Sequence, residues 1–503
     1  MGTCYSAPKE DQVKGEAITY SAVGGPRETI EPRKHVYVNL KEDAKLFTDE
    51  EFPPISESYG TVEPVQWMRA SRLAQLNGQR PKFFDANGAT RFDVKQGRLG
   101  DCWFLAALSD LPTNAKLFKK VVPDLDNGTP QNFKNGNTKF AFRFWNYGEW
   151  VTVVVDDYLP IWNGELKCVY SGNTAEFWSA LAEKAYAKLY GNYAKALCGG
   201  WGSEALEDLT GGISEEISLE SWENQLEIFK KLWQAYQKKC LMTASVKKGQ
   251  GTKRYGLPDG HAYSVNKVVQ FKLNGKMIRL LRVRNPWGTS KEWTGDWSDN
   301  SPKWQNVSRE IKDQLDFHRR ADGEFFISLE DFIKMFYSVT ICHLSLDSID
   351  DSAQGWKMVE MKDSWAPKKS FYPSLGHFEY SHYLVKLEDT DEDGLCSLLI
   401  SVMQQGARTI KGQSGESITD INGEIGFEVY RIDPKTDLPV FSDFFENAVC
   451  EKAFMRKYKR SATQRLQLRP GYYVIVPKKN SACPSQDFLI RVCYEGNGFF
   501  KKL

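Results

Sequence analysis

The pattern of hydrophobic and polar positions changes several times along the chain. Residues 1–45 are polar and lack a sustained period, which predicts a loosely ordered extension. Between residues 96 and 108 the text QGRLGDCWFLAAL changes from glycine-rich to continuously apolar. This is the pattern of a tight loop that leads into a buried helix, and we expect the helix to begin at Asp101 or Cys102.

A second helical segment is predicted between residues 176 and 189, where the text reads EFWSALAEKAYAKL. Its apolar positions recur at helical spacing and define one face: Phe177, Leu181, Ala185 and Leu189. We expect Glu183 and Lys184 to lie on other faces of this helix.

Strand-like text becomes frequent in the middle of the chain and dominates its last part. Residues 278–284 have a strand-like sequence that ends at Asn285-Pro286. Beyond about residue 345, short β-type segments alternate with turns, the clearest being 396–403, 425–432, 472–477 and 488–493. This pattern predicts a terminal β-sandwich.

The length of 503 residues favours about three domains rather than one. We predict an α+β protein that consists of two lobes and an all-β sandwich. The expected boundaries are an extension at 1–45, a first lobe at 46–200, a second lobe at 201–345 and the sandwich at 346–503.

The composition argues against several classes of function. With 66 Lys+Arg against 65 Asp+Glu, the net charge of +1 gives no reason to expect nucleic-acid binding. We find neither a long apolar run nor a secretory signal, so we expect a cytoplasmic protein with reduced cysteines. The ten cysteines show no CxxC spacing and the six histidines no HExxH spacing, which argues against a zinc site.

Cys102 is the candidate nucleophile, because it lies where the predicted buried helix begins. A helix N-terminus favours the thiolate, which is the reactive form of cysteine. The alternative is that Cys102 is simply a small buried residue at a helix start.

Three further residues complete a candidate catalytic group. His261 in DGHAYSV is the expected base that takes the thiol proton, and Asn285 the expected group that orients the imidazole. Gln96 is expected to donate to the oxyanion of the tetrahedral intermediate. Each signal is weak alone, since a single histidine is usually structural and Asn-Pro is usually a turn. The order Gln, Cys, His, Asn matches the papain-like arrangement, in which the cysteine and the histidine lie on different lobes.

The chain resembles the calpain family of calcium-dependent cysteine proteases in four motifs. These are QGRLGDCWFLAAL, EFWSALAEKAYAK, GHAYSV and RVRNPWG followed by EWTGDWSD. The resemblance implies a papain-like protease core followed by a C2-like sandwich. It also implies that Gln96, Cys102, His261 and Asn285 are catalytic, that Trp287 packs at the cleft, and that Gly200 and Gly260 pair with the substrate strand.

The same resemblance implies Ca²⁺ as cofactor, with one ion in each lobe. In the first lobe the implied ligands are Asp93 and Glu176 by side chain and Ala86 and Gly88 by carbonyl. In the second they are Glu292, Asp299, Asp322 and Glu324 by side chain and Arg320 by carbonyl. Without the resemblance, each acid would be interpreted as a solvated surface residue.

The chain departs from conventional calpains because no EF-hand loop is recognisable. The text DTDEDG at 389–394 carries Ile400 rather than Glu at the twelfth loop position. We therefore expect an atypical calpain that acts without the EF-hand small subunit.

The amino-terminal text MGTCYS fits N-myristoylation at Gly2 with palmitoylation at Cys4, and two acyl chains would anchor the protein stably. The pattern is short enough to arise by chance. A basic run at 452–465 could meet anionic headgroups or pair with the acidic stretch at 388–393. That stretch could instead bind calcium weakly, as in C2 domains.

These features predict a calcium-dependent cysteine endopeptidase that acts on protein substrates, partly at the cytoplasmic face of a membrane. The alternative is a catalytically silent membrane scaffold with the same fold. A transferase such as a transglutaminase shares the catalytic chemistry but not these motifs.

Overall fold

The computed structural model describes most of the chain from residue 46 onward. Outside the described residues lie 1–45, 63, 125–127, 221–224, 248, 250–251, 345–356, 366–380, 390–393, 406–422, 436–449, 458, 481–482, 484–486 and 495–496. The predicted extension with Gly2 and Cys4, most of the acidic stretch and the predicted boundary at 345/346 therefore lie outside the described residues.

The first lobe is mainly helical and is built around a core rich in aromatic residues. Its helices are α1 (Ser56–Tyr59), α2 (Ala70–Leu76), α3 (Cys102–Asp110), α4 (Ala115–Val121), α5 (Trp178–Leu189) and α6 (Tyr193–Leu197). Its strands are β1 (Gln66–Arg69), β2 (Lys139–Asn146), β3 (Glu149–Asp156), β4 (Tyr158–Trp162) and β5 (Glu165–Leu166). The apolar helix α3 is buried at every position, and the ring of Tyr186 on α5 contacts its Trp103 and Phe104 within one core cluster.

The helix α7 (Gly202–Thr210) follows the predicted lobe boundary at residue 200. Its buried residues Ala205, Leu206 and Leu209 belong to the same buried cluster as α3 and α5.

The second lobe is built on a six-stranded antiparallel sheet of order β10-β9-β8-β7-β11-β6. The strands are β6 (Ile213–Ser218), β7 (Leu241–Val246), β8 (Ala262–Leu273), β9 (Lys276–Arg284), β10 (Glu324–Ser328) and β11 (Phe336–His343). The helices are α8 (Gln225–Gln237), α9 (Arg309–Leu315) and α10 (Leu329–Met335).

The last part of the chain forms two facing antiparallel sheets, of order β12-β19-β14-β17 and β16-β15-β18-β13-β20. Their strands are β12 (Lys357–Ser364), β13 (Tyr383–Leu387), β14 (Cys396–Gln404), β15 (Ile425–Ile432), β16 (Cys450–Arg456), β17 (Ser461–Leu468), β18 (Gly471–Lys479), β19 (Asp487–Tyr494) and β20 (Phe499–Lys502). The predicted α+β class and the terminal β-sandwich are confirmed.

The predicted helices are also found, with one error about α5. Helix α3 begins at Cys102 as expected, and α5 begins at Trp178. The expectation that Glu183 and Lys184 avoid the core was wrong, since both are buried. Lys184 pairs with Asp156, and Glu183 accepts hydrogen bonds from the backbone of Val169.

The sandwich docks on the protease lobes through buried ion pairs. Arg460 Nη2 lies 2.6 Å from Asp208 Oδ1 and 3.5 Å from Glu207 Oε2 on α7, and all three side chains are nearly inaccessible. Arg491 Nη1 donates to the carbonyl of Gly212 at 2.9 Å, just beyond the end of α7. The sandwich is therefore attached to the helix that packs beside the helix of Cys102.

Two more members of the basic run make similar contacts with the protease. Lys459 pairs with Glu216, and Arg465 Nη2 lies 2.9 Å from Glu215 Oε2. Among the described residues, the carboxylates paired with Lys459, Arg460 and Arg465 are Glu216, Asp208 and Glu215 of the protease. The carboxylates that hold them lie elsewhere in the chain, on α7 and β6.

Among the helices in the described ranges, none combines the length and the apolar character that a membrane span requires.

Candidate active site

Cys102 is the first residue of α3, and its side chain is buried. The carbonyl of Asp101 accepts the amides of Phe104 and Leu105 at 2.9 and 3.0 Å, which starts the helix directly at the cysteine. The unpaired amides at a helix start favour a thiolate there. Eight cysteines in the described part of the chain are free thiols.

His261 and Asn285 are joined by a hydrogen bond of 2.8 Å between Nε2 and Oδ1. Because an amide oxygen only accepts, the imidazole Nε2–H donates and Nδ1 remains as the basic nitrogen. The Asn285 amide is itself held, since Oδ1 also accepts the Trp287 amide at 3.0 Å and Nδ2 donates to the Lys291 carbonyl at 2.9 Å. The structure therefore orients the imidazole ring through a fixed amide.

Aromatic rings shield this pair from water. The ring of Trp287 lies 4.9 Å from the His261 ring, and Tyr263 meets the imidazole edge-on at 5.1 Å. Burial lowers the pKa of His261 to about 4, against the opposing effect of the bond to Asn285. The imidazole is therefore neutral near pH 7 and able to accept a proton.

The strand after His261 packs directly on the helix of Cys102. Helix α3 contacts β8, and Ala262 belongs to the same buried cluster as Cys102. The lobes also meet at the amide of Gln96, which donates to the Pro286 carbonyl at 2.8 Å. The structure thus brings the four predicted catalytic residues to one junction between the lobes.

The side chain of Gln96 is not yet directed at an oxyanion. Its Nε2 donates to the Leu99 carbonyl at 2.7 Å and to Asp101 Oδ1 at 3.1 Å. Burial raises the pKa of Asp101 to about 6. Gln96 must release one of these acceptors before it can donate to a substrate oxygen.

The two predicted substrate-binding glycines lie on either side of this junction. Gly199 donates its amide to the Gly100 carbonyl at 3.0 Å, which places Gly200 beside the loop that precedes Cys102. Gly260 has a φ of 64°, in the left-handed region that glycine favours, and it directly precedes His261.

The predicted calcium ligands of the first lobe form a hydrogen-bonded group. Glu176 accepts the Asp85 amide at 2.8 Å, and Asp93 accepts the indole N–H of Trp178 at 3.1 Å. Burial and, next, the charge of Asp93 raise the pKa of Glu176 to about 7. The implied carbonyl ligands lie in the adjoining turn, at Ala86 and Gly88.

Three predicted ligands of the second lobe repel one another. Burial is the largest cause that raises the pKa of Glu292 to about 7 and of Asp299 to about 6, and neighbouring carboxylates, Asp322 among them, add to it. Each accepts a backbone amide: Glu292 from Gly323 at 2.8 Å and Asp299 from Arg320 at 3.0 Å. Asp299, Asp322 and Arg320 line a cavity of about 210 Å³.

Glu324, the fourth predicted acid, is held by an arginine of the other lobe. Arg91 Nε and Nη2 lie 2.5 and 3.0 Å from its two oxygens. Although burial raises the pKa of Glu324, Arg91 and then Arg282 lower it below its ordinary value. Sequence reasoning missed Arg91, because nothing in the local text indicates a partner so far along the chain.

Oxygen atoms supply all the implied ligands, which suits a hard cation such as Ca²⁺. Within the described part of the chain, however, no three His, Cys, Asp or Glu side chains converge closely enough to hold a metal. The donor chemistry therefore fits calcium, while the backbone amides that now bind these carboxylates would have to release them.

Comparisons with known proteins agree with these features. A model described as "Calpain family cysteine protease" matches residues 47–343, and one described as "Calpain large subunit, domain III" matches residues 377–493. A solved clostridial cysteine protease, Cwp84, is 10% identical with a TM-score of 0.14, covering 56% of this chain and 54% of that one. So low a score carries no argument about the fold.

Three curated relatives are similar over most of this chain. Calpain-A of Drosophila melanogaster is 35% identical and covers 94% of this chain and 58% of its own length. The Calpain-2 catalytic subunit of Gallus gallus and Calpain-8 of Mus musculus are each 37% identical, covering 90% of this chain and 66% of their own lengths. This chain thus spans less than two thirds of the length of these relatives. On the strength of the family models and these identities, the chain belongs to the calpain family of cysteine proteases.

Proposed function

We propose that this chain is a calcium-dependent cysteine endopeptidase that cuts proteins at limited sites inside the cell. The observation that carries the proposal is the 2.8 Å bond between His261 and Asn285, at the start of a strand that packs on the helix of Cys102. A buried neutral imidazole with an oriented ring, adjoining a cysteine at a helix start, suits nucleophilic catalysis.

The reaction runs in two steps. His261 takes the proton of the Cys102 thiol, and the sulfur attacks the carbonyl carbon of the scissile peptide bond. The C–N bond then breaks while His261 returns the proton to the leaving amine, and an acyl group remains on the sulfur. Water, deprotonated by His261, attacks that acyl carbon, and the carboxylic acid leaves as the thiol forms again.

Two further groups position the reaction. Asn285 keeps the imidazole in one orientation and one tautomer. Gln96, once released from Asp101, donates to the oxyanion together with the backbone N–H of Cys102.

Calcium would be held by the predicted oxygen donors of each lobe. In the first lobe these are Asp93, Glu176 and the carbonyls of Ala86 and Gly88; in the second, Glu292, Asp299, Asp322, Glu324 and the Arg320 carbonyl. When bound, the ion supplies positive charge that offsets the mutual repulsion of these partly buried acids. Arg91 of the first lobe pairs with Glu324 of the second. Binding of calcium at the second site would therefore affect the contact between the two lobes.

The alternative is a catalytically silent calpain-fold scaffold at a membrane. The joint presence of Gln96, Cys102, His261 and Asn285 favours the enzyme. We further propose a cytoplasmic protein with a fraction at a membrane through Gly2 and Cys4. That location depends on the acyl chains, since Lys459, Arg460 and Arg465 are occupied by the protease lobes. Mass spectrometry of the intact cellular protein would reveal these acyl chains.

The proposal is tested by cleavage of casein by the purified, reduced protein with added calcium or with a chelator. We expect cleavage only with calcium, and none by Cys102→Ser in either condition. Cys450→Ser, which changes an exposed cysteine of the sandwich, is the matched control and should cleave like the wild type. Equal cleavage with the chelator would overturn the calcium dependence, and cleavage by Cys102→Ser would overturn the mechanism.

A further inference from the structure

A group of cationic and aromatic side chains surrounds the segment of Gln96 where the two lobes meet. We call it the cationic rim, and it consists of Lys95, Arg98, Trp162, Trp287 and Lys291. No catalytic or calcium role accounts for its three charged members.

The first half of the rim is Arg98 stacked on Trp162. The guanidinium carbon lies 3.3 Å from the centre of the indole ring, and both side chains are exposed, Trp162 by 44%. The tight turn of Asn163 and Gly164, both with positive φ, presents Trp162 at the tip of the β4–β5 hairpin. The Arg98 amide donates to the Lys167 carbonyl at 2.9 Å, so the backbone under the stack is held in place.

The second half is Lys291 over Trp287. The ammonium lies 5.0 Å from the centre of the indole ring, and the Lys291 side chain is exposed. Its carbonyl accepts Asn285 Nδ2, so the backbone at this lysine is fixed to the catalytic asparagine. Lys95, whose backbone pairs with Tyr170, extends its side chain past Gly288, which follows Trp287, towards Gly172.

The rim lies on the leaving-group side of the catalytic pair. His261 must give its proton to the leaving amine, so the half of the substrate that bears this amine passes the imidazole and Trp287, which packs on it. The other half of the substrate is expected along Gly200 and Gly260. The Gln96 amide donates to the Pro286 carbonyl, so the segment that leads to Arg98 adjoins the segment that leads to Trp287.

The charge of the rim is positive. Among the segments that form it, Glu165 is an exposed acid of the hairpin, and Glu292 is held by the amide of Gly323. Three cations next to two partly exposed indole rings attract carboxylates and pack against their methylene groups.

We propose that the cationic rim is the subsite for the leaving-group half of the substrate, and that it selects acidic side chains just after the scissile bond. This inference rests on the proposed endopeptidase activity. It deepens that proposal by naming a class of substrate: protein segments in which the cleaved bond is followed by Asp or Glu.

The test uses fluorogenic peptides that are identical before the scissile bond and carry Glu, Gln or Lys in the next three positions. With calcium and a reductant, we expect kcat/KM for the Glu peptide to exceed that for the Gln peptide by about fivefold at low salt. The ratio should fall toward one at about 1 M salt, where charges are screened within about 3 Å. The double variant Arg98→Gln/Lys291→Gln should lose the preference, whereas Lys230→Gln, an exposed lysine on α8, should keep it.

A binding measurement separates the rim from the activity. Labelled peptides with a free amino terminus, which represent the leaving half, are titrated into Cys102→Ser and followed by fluorescence anisotropy. Tighter binding of the Glu peptide, lost in the double variant, supports the rim even if no peptide is cleaved, in which case only the endopeptidase proposal fails. Equal binding and equal kcat/KM for the Glu and Gln peptides would overturn the rim and leave the activity standing.

Discussion

At the scale of single residues, the contacts of His261 determine the orientation of its ring and its protonation. His261 is buried, its ring is bonded through one nitrogen to Asn285, and burial lowers its pKa to about 4. Both residues were predicted from the local sequences GHAYSV and RVRNPWG. The distance, the tautomer and the lowered pKa depend on Trp287 and Tyr263, which pack around the ring only in the folded chain.

Asn285→Ala should lower kcat by about 10²-fold, because an imidazole without its amide partner turns away from the thiol. KM should change little, since Asn285 contacts the ring and the backbone rather than the substrate. Steady-state kinetics on casein-derived peptides measures both constants. Asn306→Ala, an exposed asparagine of the same lobe, is the control. Unchanged kcat in Asn285→Ala would show that the ring needs no such partner.

Other residues of the site could not be predicted in this way. Arg91 of the first lobe pairs with Glu324 of the second, and the sequence around each residue gives no indication of its partner. Glu183 was expected away from the core because a charged residue on a helix usually is, yet it is buried beside Asp101. Burial and, next, the charge of Asp101 raise the pKa of Glu183. Protonation of the carboxyl group, rather than contact with water, therefore allows Glu183 to lie in the core.

At the scale of elements, α7 and β17 form the main junction between protease and sandwich. Helix α7 offers Glu207 and Asp208 on a face that the sandwich covers, and Arg460 enters from the segment before β17. The amphipathic patterns predicted the helices and strands themselves, since those depend on neighbours in the sequence. The pairing of elements was not predictable, because the basic run had several acidic segments as candidate partners.

Arg460→Met should lower the free energy of unfolding by about 3 to 5 kcal/mol, because it leaves buried carboxylates without their cation. Urea unfolding followed by tryptophan fluorescence measures the loss. Arg431→Met removes an exposed arginine of the same sandwich and should cost less than about 1 kcal/mol. If the two variants unfolded at the same urea concentration, the junction would not stabilise the fold.

At the scale of the whole molecule, a series of packing contacts connects the sandwich to the catalytic junction. The sandwich holds α7, α7 packs on α3, and α3 packs on the strand that follows His261. The predicted fold class, a two-lobed core with a terminal sandwich, was correct. Helices and strands can be recognised from the spacing of apolar residues in the sequence. The contact between the lobes could not be predicted from the sequence, because it depends on long-range contacts such as those of Arg91 and of the Gln96 amide.

The central proposal is that binding of calcium enables the His261 imidazole to take the proton of the Cys102 thiol. Only the thiolate reacts with iodoacetamide, so the alkylation rate reports how readily the imidazole takes its proton. The rate is followed by mass spectrometry on the peptide that contains Cys102, in reduced protein, with calcium or a chelator.

In the wild type, calcium should raise the rate of Cys102 alkylation by about tenfold or more, and in His261→Ala it should have no effect. The exposed Cys450 serves as the internal control and should react at the same rate in every sample. A Cys102 rate that is indifferent to calcium in the wild type, or equally responsive in His261→Ala, would contradict the account.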